Sequence, residues 1–128
     1  MKQLKIIVAT LVLFSIASCV QETHEKSITF KVDMNAIDNA QNVGMKGNFT
    51  NPSWQKMIPL TDENNDGIYE VTIRRKTASN AIQFKFVNQN EHYELRDQPN
   101  RSLKLEYKPQ TITYETIFDV KEATITTK

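Results

Sequence analysis

The chain has 128 residues, 39% of them hydrophobic and 24% charged, which is the composition of one ordinary globular domain and not of a disordered or fibrous chain. Sixteen Lys and Arg stand against 15 Asp and Glu, so no basic excess exists to drive nucleic-acid binding by neutralising phosphates. One cysteine cannot form a disulfide within the chain, and three glycines cannot supply a phosphate loop or a dinucleotide fingerprint.

The N-terminus, MKQLKIIVATLVLFSIASC, has a basic start at Lys2 and Lys5, an apolar run from Ile6 to Ala17 and small residues before Cys19. This is the layout of a secretory signal peptide over residues 1–18. The run is too short to span a bilayer, which takes about 20 apolar residues. Ile16-Ala17-Ser18-Cys19 resembles the lipobox of bacterial lipoproteins, and that resemblance implies a lipidated Cys19 as the first mature residue. The other reading is ordinary signal cleavage that leaves a free thiol. Without Lys2 and Lys5 the basic residues fall from 16 to 14 against 15 acidic ones, a mature net charge of −1. Val20 after the cysteine is compatible with outer-membrane sorting, and residues 19–26 read as the lipidated cysteine followed by a polar tether.

The folded part is expected over residues 27–128. In SITFKVDM, Ile28, Phe30, Val32 and Met34 alternate with Thr29, Lys31 and Asp33, the period of a half-buried strand. Val43 to Phe49 predicts a shorter strand. The same alternation recurs at Tyr69, Val71 and Ile73, at Ile82, Phe84 and Phe86, at Leu103, Leu105 and Tyr107, and through TITYETIFDV. No segment carries a convincing amphipathic helix. Six to eight short strands separated by turn residues predict an all-β, immunoglobulin-like antiparallel β-sandwich with no second domain.

Thr61 to Glu70, TDENNDGIYE, begins like a calcium loop at Asp62, Asn64, Asp66 and Gly67. Such a loop needs a bidentate carboxylate at its twelfth position, which is Ile73 here, and the residues that follow have a strand period. The segment therefore reads as a turn with Gly67 supplying a positive φ, a partial, weak calcium site being the alternative. His24 and His92 are the only histidines and lie far apart in sequence, so neither a zinc site nor any other cofactor is expected. Without a G-x-S-x-G or a carboxylate in an apolar setting, no enzyme is expected either.

Aromatics and amides in polar contexts remain. Trp54 follows the turn-forming pair Asn51-Pro52, and Tyr93 lies in NEHYELRDQ. A loop ring can offer its face to a sugar, and it can equally cap the open end of a sandwich. The order GNF, W, MIPLT, DGIYEVTI, IQFKFV, HYE, PNRSL, from about Ile28 to Tyr107, resembles the starch-binding domain family (carbohydrate-binding module family 20) and related glycogen-binding domains. VTFKVDM-type openings with a D-G-x-Y turn also resemble modules of secreted proteins in Bacteroidetes-type bacteria. The resemblance implies sugar stacking at Trp54 and at Tyr93, where a tyrosine stands for the family's tryptophan. It also implies hydroxyl recognition by Lys85 and Asn100. Together these readings predict a non-catalytic protein lipid-anchored to the bacterial cell envelope, with a polysaccharide, an α-glucan, as its partner. The membrane is met through the anchor only. The alternative is a structural module that keeps the fold and binds an envelope protein.

Overall fold

A computed structural model describes residues 21–128; the signal peptide expected over 1–18 and the lipidated Cys19 lie outside them. The described residues form nine strands: β1 His24–Asp33, β2 Gly44–Gly47, β3 Ile58–Pro59, β4 Ile68–Thr77, β5 Ala81–Asn88, β6 His92–Tyr93, β7 Arg101–Lys104, β8 Gln110–Ile117 and β9 Ala123–Thr127. One sheet has the order β4-β1-β8-β9, and the other has β3-β2-β5-β6 with β7 also paired to β5. The all-β sandwich follows the sequence reading, with one refinement. β1 and β8 run parallel, Phe30 beside Tyr114, while the other strand pairs are antiparallel.

Alternation along each strand builds the core. Phe30, Val32, Met45, Phe84, Phe86, Ile112 and Tyr114 are all buried between the sheets. Phe84 is the hub of the aromatics, edge-on to Phe30 at 5.0 Å, to Tyr114 at 5.1 Å and to Phe86 at 5.7 Å between centroids. Edge-to-face contacts align the positive ring edge with the negative face of a neighbour, and removal of such a buried ring costs about 3–5 kcal/mol.

Three boundaries differ from the sequence reading. β1 starts at His24, inside the segment expected to be tether, because Lys26 is needed for packing. Lys26 is 3% exposed, and its ammonium donates to the Glu106 carbonyl at 2.6 Å, to the Lys108 carbonyl and to Gln110 Oε1 at 2.6 Å. Burial holds its pKa below the usual lysine range, with Glu106 pulling the other way. Secondly, β7 ends at Lys104, so Leu105 is buried but Tyr107 leaves the inward row and lies exposed, edge-on to His24. The third difference is β9. Its turn uses Asp119 at φ 66° in place of a glycine, so no turn signal separates it from β8 in the sequence.

The 61–67 segment is a turn feeding β4. The Asp62 carboxylate accepts the N–H groups of Asp66 and Gly67, at 3.1 and 2.9 Å, and Asp66 accepts that of Ile68 at 2.9 Å. That last bond is the main reason the Asp66 carboxyl titrates below its ordinary range. Gly67 has φ 81°, and a Cβ there would come within 2.1 Å of Asn35 Oδ1. Both carboxylates thus accept backbone donors within the segment, as the turn reading expects.

Candidate functional site

β5 runs through the middle of the second sheet, turning Phe84 and Phe86 inward and Gln83, Lys85 and Val87 outward. Its neighbours set what surrounds Lys85. Lys46 of β2 is directly opposite it, Tyr93 of β6 pairs with Val87, and Arg101 of β7 pairs with Phe84. Asn100, one residue before Arg101, therefore arrives at the flank of Lys85. Three of the four residues expected to meet sugar, Lys85, Tyr93 and Asn100, are brought to one outer face.

Lys85 holds that face together as well as lining it. Its ammonium donates to the carbonyls of Leu95 and Gln98, at 2.9 and 3.0 Å, which fastens the loop between β6 and β7. An ammonium has three N–H groups, so one is left for a ligand. This qualifies the expectation of a free hydroxyl partner at Lys85. Lys46 is the residue that the sequence reading passed over. Its alternation between Met45 and Gly47 already pointed it outward, and its ammonium stands 5.4 Å from the Tyr93 ring centroid. Such a cation over an exposed ring is worth about 0.5–1 kcal/mol and occupies one of the two ring faces.

Between these polar groups the face has an apolar floor. Val87 is fully buried although it points outward. Its cross-strand neighbours are Gly44 and Tyr93, and Met57 packs so tightly over Gly44 that a Cβ there would meet its Cγ at 2.5 Å. Tyr93 stands at the rim, 36% exposed, and a shallow groove lined by Glu91, His92, Tyr93 and Arg96 runs beside it.

Trp54 lies in the loop between β2 and β3. Its backbone N–H donates to the Gly47 carbonyl at 2.8 Å and to Thr50 Oγ1 at 3.1 Å, which anchors it at the end of β2 beside Lys46. Its φ is 62°, a left-handed value that costs a bulky residue of the order of 1 kcal/mol and that the two hydrogen bonds sustain. The indole is half-buried and forms no ring pair with Tyr93 among the described residues.

The motifs HYE and NR owe their last letters to the core. Glu94 and Arg101 are 0% and 4% exposed and face each other in a two-pronged ion pair, Nε and Nη2 each 2.7 Å from a carboxylate oxygen. Glu94 also accepts the N–H groups of Phe86 and Asp119. Arg101 reaches across to the β8–β9 turn through the carbonyls of Val120 and Ile117. Burial works against its charge, but the hydrogen bonds and charge of Glu94 prevail and lift its pKa above the ordinary arginine value. Because neighbours in extended chain point opposite ways, an inward Glu94 presents Tyr93 and an inward Arg101 presents Asn100.

Among solved structures, a gamma-CGTase from Alkalophilic bacillus clarkii shares the fold, with a TM-score of 0.52 at 18% identity over 75% of this chain. The chain spans only 15% of that enzyme's length. The modules CBM25-1 and CBM25-2 of a beta/alpha-amylase from Paenibacillus polymyxa are similar at TM-scores of 0.48 and 0.49, with 17% and 15% identity. Those two alignments cover 81% and 82% of this chain and 93% and 94% of theirs. No curated protein matches in sequence. A family model does match, that of carbohydrate-binding module 48 (isoamylase N-terminal domain), over residues 20–103, which takes in every strand from β1 to most of β7 and all of the outer face just described. On that match the chain belongs to the carbohydrate-binding module 48 family.

Proposed function

We propose that the protein binds carbohydrate without transforming it, that its ligand is a starch- or glycogen-like α-glucan, and that a lipid on Cys19 holds it at the bacterial outer membrane. The observation that carries the reading is the gathering of Lys46, Lys85, Tyr93 and Asn100 on one outer face of a carbohydrate-binding-module sandwich. Tyr93 stacks on the C–H face of a glucose ring with the ring face that Lys46 leaves open. The remaining N–H of Lys85 and the amide of Asn100 bond vicinal hydroxyls, and Trp54 engages a further unit of the chain at the border of the face. Stacking is worth about 1–3 kcal/mol per ring if base stacking is a guide, so a single domain binds near the millimolar range. Anchored copies bound to one polymer compensate through avidity.

Affinity electrophoresis in native gels with and without soluble starch or glycogen tests this. Retardation of the wild type that is lost in Tyr93→Ala and reduced in Trp54→Ala supports the site. Equal mobility in both gels removes the α-glucan, and release of reducing ends would contradict a non-catalytic role. A second reading, a module that docks on an envelope protein, is favoured by the commitment of Lys85 to Leu95 and Gln98. A stoichiometric protein partner recovered with no glycan retention would select it.

A further inference from the structure

The sandwich leaves several strand edges open, and they are not equally protected. In the first sheet the edge strand β4 carries Arg74, Arg75 and Lys76 just before its last residue, Thr77, and it is partly covered where Thr61 bridges to Glu70. In the second sheet β3 and β6 are two residues long, β3 with Pro59 in it. Charges, proline and shortness are the devices by which natural sheets blunt an edge. β9 has none of them. Its five residues, Ala123-Thr124-Ile125-Thr126-Thr127, carry no charge and are all exposed, with Ile125 half uncovered.

The bonding phase of β9 is fixed by its partner. The Lys128 N–H donates to the Thr111 carbonyl at 2.9 Å, and bonding alternates along an antiparallel strand, so Thr126 and Thr124 also face β8. The N–H and C=O groups of Ala123, Ile125 and Thr127 therefore point out of the sheet. Two copies of β9 set antiparallel about a two-fold axis at Ile125 would pair Ile125 with itself and Ala123 with Thr127. Every outward-pointing backbone group of the strand then finds a partner. The same register places Glu122 of each copy opposite Lys128 of the other, on the face of Thr124 and Thr126, so the charges flanking the neutral strand are complementary to themselves. A one-residue slip would lose both matches.

We propose that β9 is a self-association edge at which a second copy of this chain adds its own β9, joining the two first sheets into one continuous sheet. The occupant is a second copy because the strand is self-complementary in bonding phase, in its apolar centre and in its flanking charges. Five residues a side bury less area than a stable solution dimer needs, so association is weak and concentration-dependent. Two sugar faces on one dimer would then engage a polymer together.

Sedimentation velocity on residues 21–128, which contain both sheets and the whole core, tests this over a concentration series from about 10 μM to 1 mM, a range set by the small area. A monomer–dimer equilibrium is expected. Ile125→Lys should weaken it at least tenfold, and Glu122→Lys severalfold, while Glu122→Lys combined with Lys128→Glu should restore it. Circular dichroism melts show whether Ile125→Lys still folds; the charge variants lie outside the strand and keep the test decisive if it does not. A monomer throughout the series overturns the proposal. So does a dimer indifferent to these variants, or one broken by Ile125→Lys but indifferent to the charge exchange, since the register would then be wrong.

Discussion

A buried cation closes each end of the sandwich, and the two are satisfied in different ways. At the end where β8 finishes, Arg101 meets a carboxylate, Glu94, and completes its bonds on carbonyls of the β8–β9 turn. At the end where β8 begins, Lys26 meets no carboxylate and rests in a cage of two carbonyls and the Gln110 amide. The difference reflects the donors. A guanidinium is a planar fork that suits a carboxylate in two-pronged fashion, whereas an ammonium is a point charge that any three oxygens can surround. The arginine end is also the one that supports Tyr93 and Asn100, so rigidity there matters for the proposed glycan face, while the lysine end closes the sandwich away from that face.

The strongest way to break the comparison is Arg101→Met, which leaves Glu94 buried and unpaired. It should destabilise the domain by about 3–5 kcal/mol in urea unfolding. A double exchange, Arg101→Met with Glu94→Leu, should recover much of that loss, and failure to recover would mean that the turn carbonyls and not the ion pair dominate. Lys26→Met should cost less, about 1–3 kcal/mol, because the oxygens it abandons include exposed-side carbonyls that water can reach. Equal losses at the two ends would mean that the carboxylate and the carbonyl cage hold their cations alike.

Tyr93→Ala sharpens the functional side of it. Loss of the Lys46 contact and of cover over Val87 should lower the unfolding free energy by only about 1 kcal/mol, while glycan affinity falls about tenfold. Loss of stability without loss of binding would place the site elsewhere. The smallest effect belongs to Asp66. Its carboxyl is held below its ordinary pKa by the Ile68 N–H, so its charge stabilises the fold above about pH 3.8, and that contribution is lost as the pH falls through the depressed value. Asp66→Asn should therefore lower the melting temperature slightly at pH 6, by a margin that shrinks as the pH falls below 3.8.

The face around Lys85 was legible in part. Lys85 could be named because strand alternation and motif order both pointed at it, and Tyr93 and Asn100 because motif order did. Lys46 was missed because the short stretch from Val43 to Phe49 bears no motif letter at that position, even though its alternation was visible. The seat of Trp54 at the end of β2 could not be read, since a loop's course depends on bonds such as the Trp54 backbone N–H to the Gly47 carbonyl and not on spacing. The role of Lys26 was hidden for a related reason. A cage of backbone carbonyls leaves no trace in side-chain identity, so a buried lysine reads as a solvated one.

By itself the sequence determined the class of fold, the inward rows of the main strands, the turn at Asp66-Gly67 and the family's motif order, because period-two burial and turn chemistry are local properties of the chain. Only the tertiary structure decided that β1 and β8 run parallel, that Glu94 and Arg101 are core and not site, that Lys85 spends two of its donors on a loop, and that β9 ends a sheet with its edge open. Each of those depends on which segments distant in sequence become neighbours, and hydrogen-bond partners across such distances are chosen by packing.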